Sequence, residues 1–299
     1  IQRKLYLKYS NKVIEEEEEG GQKGKIFRTI QFLARISLHP SLIFETIKQY
    51  EEYLNEEGEK NEDFLAASPK LLALKEILQD SNVQIPIEGL DEEPHKLLIF
   101  AQHKSTLDII EKYVLKDHFP SLPFLRLDGS ISSESRFKIA LQFNNDPSIR
   151  VILLTTHIGG LGLNLIGGDR VIFFEHDWNP QKDLQAMDRA HRLGQKRIVN
   201  VYRLIMKDSI EERIMGSQKF KLYIAGSIIN QQNVAISSMC SNDGEGEEDK
   251  LDVTELFCLS TQQQPTGEGK KKEKEKSTFS FKDFLQQAEN ESMVQDDDE

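Results

Sequence analysis

The chain has 299 residues with 38 Lys+Arg and 50 Asp+Glu, a formal net charge of −12, and is 38% hydrophobic, enough for one or two domains with a real core. No run approaches the roughly 18 consecutive apolar residues of a membrane span, and no charged–apolar–small leader opens the sequence, which excludes an integral membrane protein and gives no sign of secretion. Cys240 and Cys258 lie in a polar stretch without a CxxC or a nearby histidine, which argues against a disulfide framework or zinc site and for a reducing compartment, cytosol or nucleus.

Residues 1–63 read as interrupted helix. Glu15 to Glu19 is a run of carboxylates ending in Gly20-Gly21, the composition of a disordered loop. Helical spacing returns in Ile26, Ile30, Leu33 and Ile36, and Pro40 stops or bends it. A second helix is expected from Ser68 to about Leu78, with Pro69 in its first turn and Leu71, Leu74 and Leu78 on one face. Residues 81–94 form a linker rich in proline, glycine and acid.

From residue 96 short apolar runs alternate with helical spacing. Strands are expected at Leu97–Ala101, Phe124–Leu127, Val151–Thr155, Val171–Glu175 and Ile198–Leu204. Helices are expected at Ser105–Leu115, Ser132–Phe143, Gln181–Leu193 and Ser209–Ala225. Such alternation means βαβ units, an α/β fold with a parallel sheet covered by helices on both faces. After about residue 238 the chain turns polar and charged, leaving two islands, Leu251–Leu259 and Phe279–Leu285, each too short to fold alone. The expected division is a helical segment and linker over 1–67, an α/β lobe over 68–225, and a helix end with a mostly disordered acidic tail over 226–299.

Charge follows this division. Residues 95–225 carry 19 Lys+Arg and 14 Asp+Glu, so a basic segment lies between acidic flanks. That suits a polyanionic partner, although acidic tails can also be merely solvated.

Four stretches carry candidate chemistry. In Gln185–Gln195, a continuous helix puts Gln185, Arg189 and Arg192 on one face, with Ala186, Ala190 and Leu193 as an apolar stripe for packing on the sheet. Two guanidiniums on a shared face suit a phosphate chain, because the planar fork binds phosphate oxygens bidentately. An ordinary Asp188–Arg192 ion pair at i, i+4 is the alternative. In Thr156–Leu165, glycines at 159, 160 and 162 follow a strand end, where backbone N–H groups can approach an anion. It is not a P-loop, since no Gly-Lys-Ser/Thr follows, and a ligand-free glycine turn remains open. Arg126–Ser130, followed by Arg136, again ends a strand in a glycine turn, with Ser130 or Ser132 placed to cap the next helix. Asp177-Trp178-Asn179-Pro180 holds the single tryptophan, a core anchor or a platform for a base or sugar, and Pro180 suits a first helical turn.

Together these residues resemble the second RecA-like lobe of the superfamily-two helicase-like ATPases, in particular the SWI/SNF-type remodellers. Leu97–Lys104 is similar to the family's fourth motif, Thr156–Leu165 to its fifth and Gln185–Gln195 to its sixth. Asp177–Pro180 matches the Asp-Trp-Asn-Pro of this branch. Arg35-Ile-Ser-Leu-His39-Pro40 resembles its link between lobes. His157, the Glu175-His176 pair, Pro69–Leu74, Met215–Lys221 and Glu255–Phe257 resemble the branch that removes TATA-binding protein from DNA.

The resemblance implies a double-stranded DNA translocase of transcription, nuclear and monomeric, with no membrane and no resident metal site in this lobe. ATP and Mg2+ would be bound mainly by a first lobe. Arg189 and Arg192 would act as arginine fingers, in a nucleotide site shared with Gly162, Asn164 and Gln185. Lys104, Gly129, Ser130, Thr156, Gly159, Gly160 and Trp178 would lie on DNA, and TATA-binding protein would be the displaced partner. The 299 residues contain no Gly-x-Gly-Lys-Thr, no Asp-Glu-x-His and no helical repeats of that branch, so catalysis by this chain alone is not expected. Two other readings stay open: a non-catalytic nucleic-acid-binding or regulatory module that kept the fold, and the same lobe in a nucleosome remodeller or repair translocase.

Overall fold

The computed structural model describes residues 1–18, 23–58, 63–83, 95–159 and 162–234. Two helices open the chain, α1 (Gln2–Glu18) and α2 (Lys23–Leu38), packed against each other. α1 continues through Glu18, so most of the carboxylate run expected to be loop is helix; Glu19 to Gly21 lie outside the described residues. A 3-10 turn (Pro40–Ile43) and α3 (Ile47–Glu56) follow, then α4 (Pro69–Asp80), begun by proline as expected.

A five-stranded parallel sheet comes next: β1 (Leu97–Ala101), β2 (Phe124–Leu127), β3 (Val151–Thr155), β4 (Arg170–Phe173) and β5 (Asn200–Arg203), in the order β2-β3-β1-β4-β5. Its helices are α5 (Lys104–Ile109), continued as a π-helical stretch (Ile110–Lys116), α6 (Ser133–Asn145), the short α7 (Thr156–Gly159), α8 (Pro180–Met187) and α9 (Ile210–Val234). β1 to β3 have the expected bounds. β4 starts one residue earlier and stops at Phe173, β5 is shorter at both ends, and α9 runs on to Val234. The two apolar islands of the C-terminal segment lie outside the described residues.

Side-chain alternation along the buried strands divides the core into two layers. Leu97, Ile99, Val151, Leu153 and Ile172 face one way, with α4, α5 and the π-helical stretch (Leu71, Leu74, Leu107, Val114). Leu98, Phe100, Ile152, Leu154, Val171 and Phe173 face the other, with Phe143 of α6 and Ala186 of α8. Strands covered on both faces need unbroken apolar runs, as β1 and β3 show.

The N-terminal helices are fastened to this lobe. The Gln2 amide joins α1 to α2 through the carbonyls of Ile36 and Ser37, and the Ile210 N–H opening α9 ties α1 to the lobe by donating to the Tyr6 hydroxyl at 2.7 Å. Burial pushes the Tyr6 phenol up to about 12. Lys70 of α4 is buried, donating to the Phe174 carbonyl at 2.9 Å and to Glu211 of α9.

Candidate functional site

Because every strand runs parallel, the loops after β1, β2, β3 and β4 all leave the same edge of the sheet. Strand order therefore places Gly129-Ser130, Thr156, Lys104 and the Asp177–Pro180 corner in sequence along that edge. Carboxyl edges are where open α/β sheets bind ligands.

A buried carboxylate organises the middle of the edge. Glu175 accepts from the backbone N–H groups of Gln102 and His103, from the Thr106 hydroxyl at 2.9 Å and from the His103 ring at 3.1 Å. Burial alone would raise its pKa, but His103 and these donors hold it below the ordinary glutamate value. The same pairing raises His103. Lys104, half-buried, thus begins α5 on a turn pinned to the end of β4.

The other expected DNA-side residues divide. Gly129 is exposed, with its carbonyl accepting from Arg136 at 3.4 Å. Ser130 gives both its N–H and its hydroxyl to Asp128. Burial opposes the charge on Asp128, but these bonds and Arg126 keep its pKa low. Ser130 therefore closes a side-chain turn and does not cap α6; Ser132 stands at the N-cap without a side-chain cap bond. Thr156 is 4% exposed and its hydroxyl donates to the Ala101 carbonyl at 3.2 Å, so it ties β3 to β1 and does not present that hydroxyl to a ligand. Gly159 ends α7, and Gly160 lies outside the described residues. Trp178 is half-buried, neither a core anchor nor fully open, and its carbonyl accepts from Lys221 at 3.3 Å.

The arginine stretch departs from a continuous helix. α8 stops at Met187, and residues 188–190 form turns in which Arg189 N–H bonds the Ala186 carbonyl at 3.2 Å. The Arg189 carbonyl accepts from Leu165 N–H at 3.0 Å, which draws the glycine loop onto the end of α8. Ala186 and Ala190 pack on the sheet as expected, whereas Leu193 is 100% exposed.

This unwinding brings the fifth-motif and sixth-motif residues together. Gly162 has φ +82°, a conformation costly to any side chain, and a Cβ there would stand 3.9 Å from Arg189 Nη1. Arg192 Nη1 donates to the Gly162 carbonyl at 3.3 Å, and Arg189 Nε to the Gln185 carbonyl at 3.1 Å. Gln185 itself is exposed and meets Arg189 through its carbonyl; Asn164 takes an Asn144 amide on its carbonyl at 2.8 Å. Among the described residues neither arginine is ion-paired, so the Asp188–Arg192 alternative is not realised. Partial burial and the charge of Arg192 both lower the Arg189 pKa. By contrast Arg126 is held by Asp108, Glu111 and Asp128, Arg197 by Asp169 and Arg203 by Asp183. Two neighbouring guanidiniums left to main-chain carbonyls have the charge and donor geometry that a polyphosphate would require. No group of three or more His, Cys, Asp or Glu among the described residues could hold a metal ion.

Behind the site a buried network fixes α8. Asn179 caps it by accepting from Gln181 N–H at 3.0 Å. Asp183, 0% exposed, accepts from Gln218 of α9 at 2.9 Å and Arg203 of β5 at 3.4 Å. His176 reaches the Leu204 carbonyl at 3.0 Å. Asp183, Arg203 and Gln218 carry no local signal for this role, and Glu175, placed at the end of a strand by its sequence, gains its role only from donors far along the chain.

Residues 70–194 match the family described as the helicase conserved C-terminal domain. TATA-binding protein-associated factor 172 of Homo sapiens is 48% identical over 248 residues, which is 77% of this chain but 13% of that protein. The chain thus spans about an eighth of that relative's length. The crystal structure of the C-terminal part of the Fun30 ATPase domain superposes with a TM-score of 0.57 at 30% identity, covering 73% of this chain and 84% of that one. The Sulfolobus solfataricus SWI2/SNF2 ATPase core in complex with dsDNA gives 0.55 at 28% identity, covering 71% and 40%.

Proposed function

The chain belongs to the SWI/SNF-type helicase-like ATPases, as their C-terminal RecA-like lobe, and we propose that it serves as the C-terminal motor lobe of a double-stranded DNA translocase that strips TATA-binding protein from DNA in the nucleus. The observation that carries the reading is the convergence of Arg189 and Arg192 on Gly162 without a carboxylate partner. In this reading a first lobe holds ATP and Mg2+ by a P-loop that these 299 residues do not contain. Arg189 and Arg192 face the γ-phosphate across the cleft and neutralise charge that grows there during hydrolysis.

The carboxyl-edge loops follow one DNA strand by its phosphates, without reading bases. Lys104 supplies charge, and the Gly129 turn and the Gly159-Gly160 backbone allow close approach. Glu175 keeps the β1 and β4 loops in fixed relation, so cleft closure moves the edge as one piece along DNA. TATA-binding protein as the displaced partner rests on the likeness to a TATA-binding protein-associated factor.

The test uses the full-length gene product, comparing Arg192→Lys and Arg192→Ala with the unmodified protein. Nucleotide affinity is expected to persist while DNA-stimulated turnover falls by about 10³-fold or more, lysine restoring little because it lacks the planar fork. Near-normal turnover in either variant removes Arg192 from the catalytic pair.

A further inference from the structure

α9 carries an exposed stripe that the motor reading leaves unused. Arg213, Gly216, Phe220 and Tyr223 recur at i, i+3, i+7 and i+10, hence along one side of the helix. Phe220 is 58% and Tyr223 74% exposed, and a Cβ at Gly216 would meet nothing within 4 Å, so the stripe has an open notch. The other side of the helix is committed inward through Ile214, Ser217 and Gln218. Exposed Lys219 borders the stripe, and Lys221, beyond it, reaches the Trp178 carbonyl at the carboxyl edge. The stripe is thus aromatic, bordered by Lys219 and, near its first turn, by exposed Glu212, and Lys221 links its helix to the loops assigned to DNA.

The chain beyond α9 has matching chemistry. Residues 243–257 hold seven carboxylates and one lysine, interleaved with Leu251, Val253, Leu256 and Phe257. Reach is sufficient. Phe220 lies about 21 Å back along the helix from Val234 at 1.5 Å per residue. The nine residues from Val234 to Asp243 span up to about 30 Å when extended.

We infer that the acidic–apolar segment 243–259 docks on the Arg213–Tyr223 stripe of α9, its apolar residues against Phe220 and Tyr223 and its carboxylates toward Arg213 and Lys219. Docked there, it puts negative charge beside Lys221 and Trp178 and competes with DNA for that end of the edge. A tethered segment works at an effective concentration of a few millimolar. Binding its stripe with a dissociation constant near 1 mM, it weakens DNA binding by about fivefold.

The experiment uses the 299-residue chain with Cys240→Ser, so that a photocross-linker can be attached to Cys258 alone. Cross-links are expected within residues 213–223 of the same molecule and should disappear in Phe220→Ser/Tyr223→Ser, whose thermal melting is checked against the parent. Cross-links that fall elsewhere, spread evenly, or join two copies in a mixture of light and heavy chains overturn the docking. The second arm rests on the DNA reading: Leu256→Ser/Phe257→Ser, with every charge retained, should tighten duplex binding at low salt by the same factor as deleting 239–299. Tightening only on deletion overturns docking, since it assigns the effect to diffuse repulsion. A chain that cross-links as expected yet never binds DNA keeps the docking and rejects the DNA reading.

Discussion

His39 shows how one buried side chain sets a pH limit on the fold. Its Nδ1 accepts from Ser41 N–H at 3.0 Å, so Nε2 carries the proton and donates to the Phe64 carbonyl at 2.9 Å. The ring stacks on Phe64 at 4.0 Å, and Phe64 on Tyr113 at 3.6 Å, which joins the N-terminal segment to the π-helical stretch. The Ser41 hydroxyl also lies 2.7 Å from Nδ1, but burial disfavours the charged imidazolium and lowers the pKa from 6.5 to about 4. Between those values the unfolded chain binds the extra proton and the folded one does not. Stability is therefore full above about pH 6.5 and lost as pH falls toward 4, by about 2 kcal/mol between pH 7 and pH 5. Urea unfolding at the two pH values should show that loss in the parent and not in His39→Gln. Equal losses in both would assign the effect to other groups; His103, raised by Glu175, works in the opposite sense.

At the scale of elements, what the sequence disclosed depended on where each element's partners lie. β1 and β3 could be bounded because each is an apolar run between polar residues, and β2 because Pro123 and the Asp128-Gly129 turn bracket it, signals contained in the local sequence. The end of α8 could not, since Gln185–Leu193 keeps helical spacing. What unwinds it includes Leu165 N–H claiming the Arg189 carbonyl and Arg192 claiming the Gly162 carbonyl, contacts outside any local window. Glu175 is similar: its donors at His103 and Thr106 are 72 and 69 residues away. The glycines sort by the same logic. A Cβ on Gly168 would stand 1.9 Å from Leu98 Cδ1 in β1, a residue 0% exposed. Gly168→Ala is thus expected to cost about 1–3 kcal/mol through forced repacking, whereas Gly216→Ala in the open part of α9 should gain about 0.5–1 kcal/mol. Denaturant midpoints of the two variants decide it; a neutral Gly168→Ala would mean that the turn before β4 yields easily.

For the whole molecule the question is how a chain of net charge −12 would meet DNA in the proposed reading. The basic 95–225 segment concentrates its charge, but part of it is internally spent: Arg126, Arg197, Arg203, Lys116 and Lys182 are paired with carboxylates, and Lys96 points into the carbonyls of Phe143 and Asp146. With that charge committed and acidic flanks on either side, binding by the 299-residue chain should be weak, independent of sequence and steeply salt-dependent. If two to four phosphates are neutralised, log K falls with log salt at a slope of about −2 to −4. Lys104→Ala should flatten that slope by about one, because it removes one phosphate contact. Thr156→Val keeps the shape and deletes a hydroxyl already committed to the Ala101 carbonyl, so it should leave the slope and the affinity unchanged while lowering stability by about 1 kcal/mol. Fluorescence anisotropy with two unrelated duplexes over a salt series measures all three. A slope lost in Thr156→Val and kept in Lys104→Ala would reverse the assignment: the glycine loop would have to open β3 from β1 on DNA, and the threonine would be a contact after all.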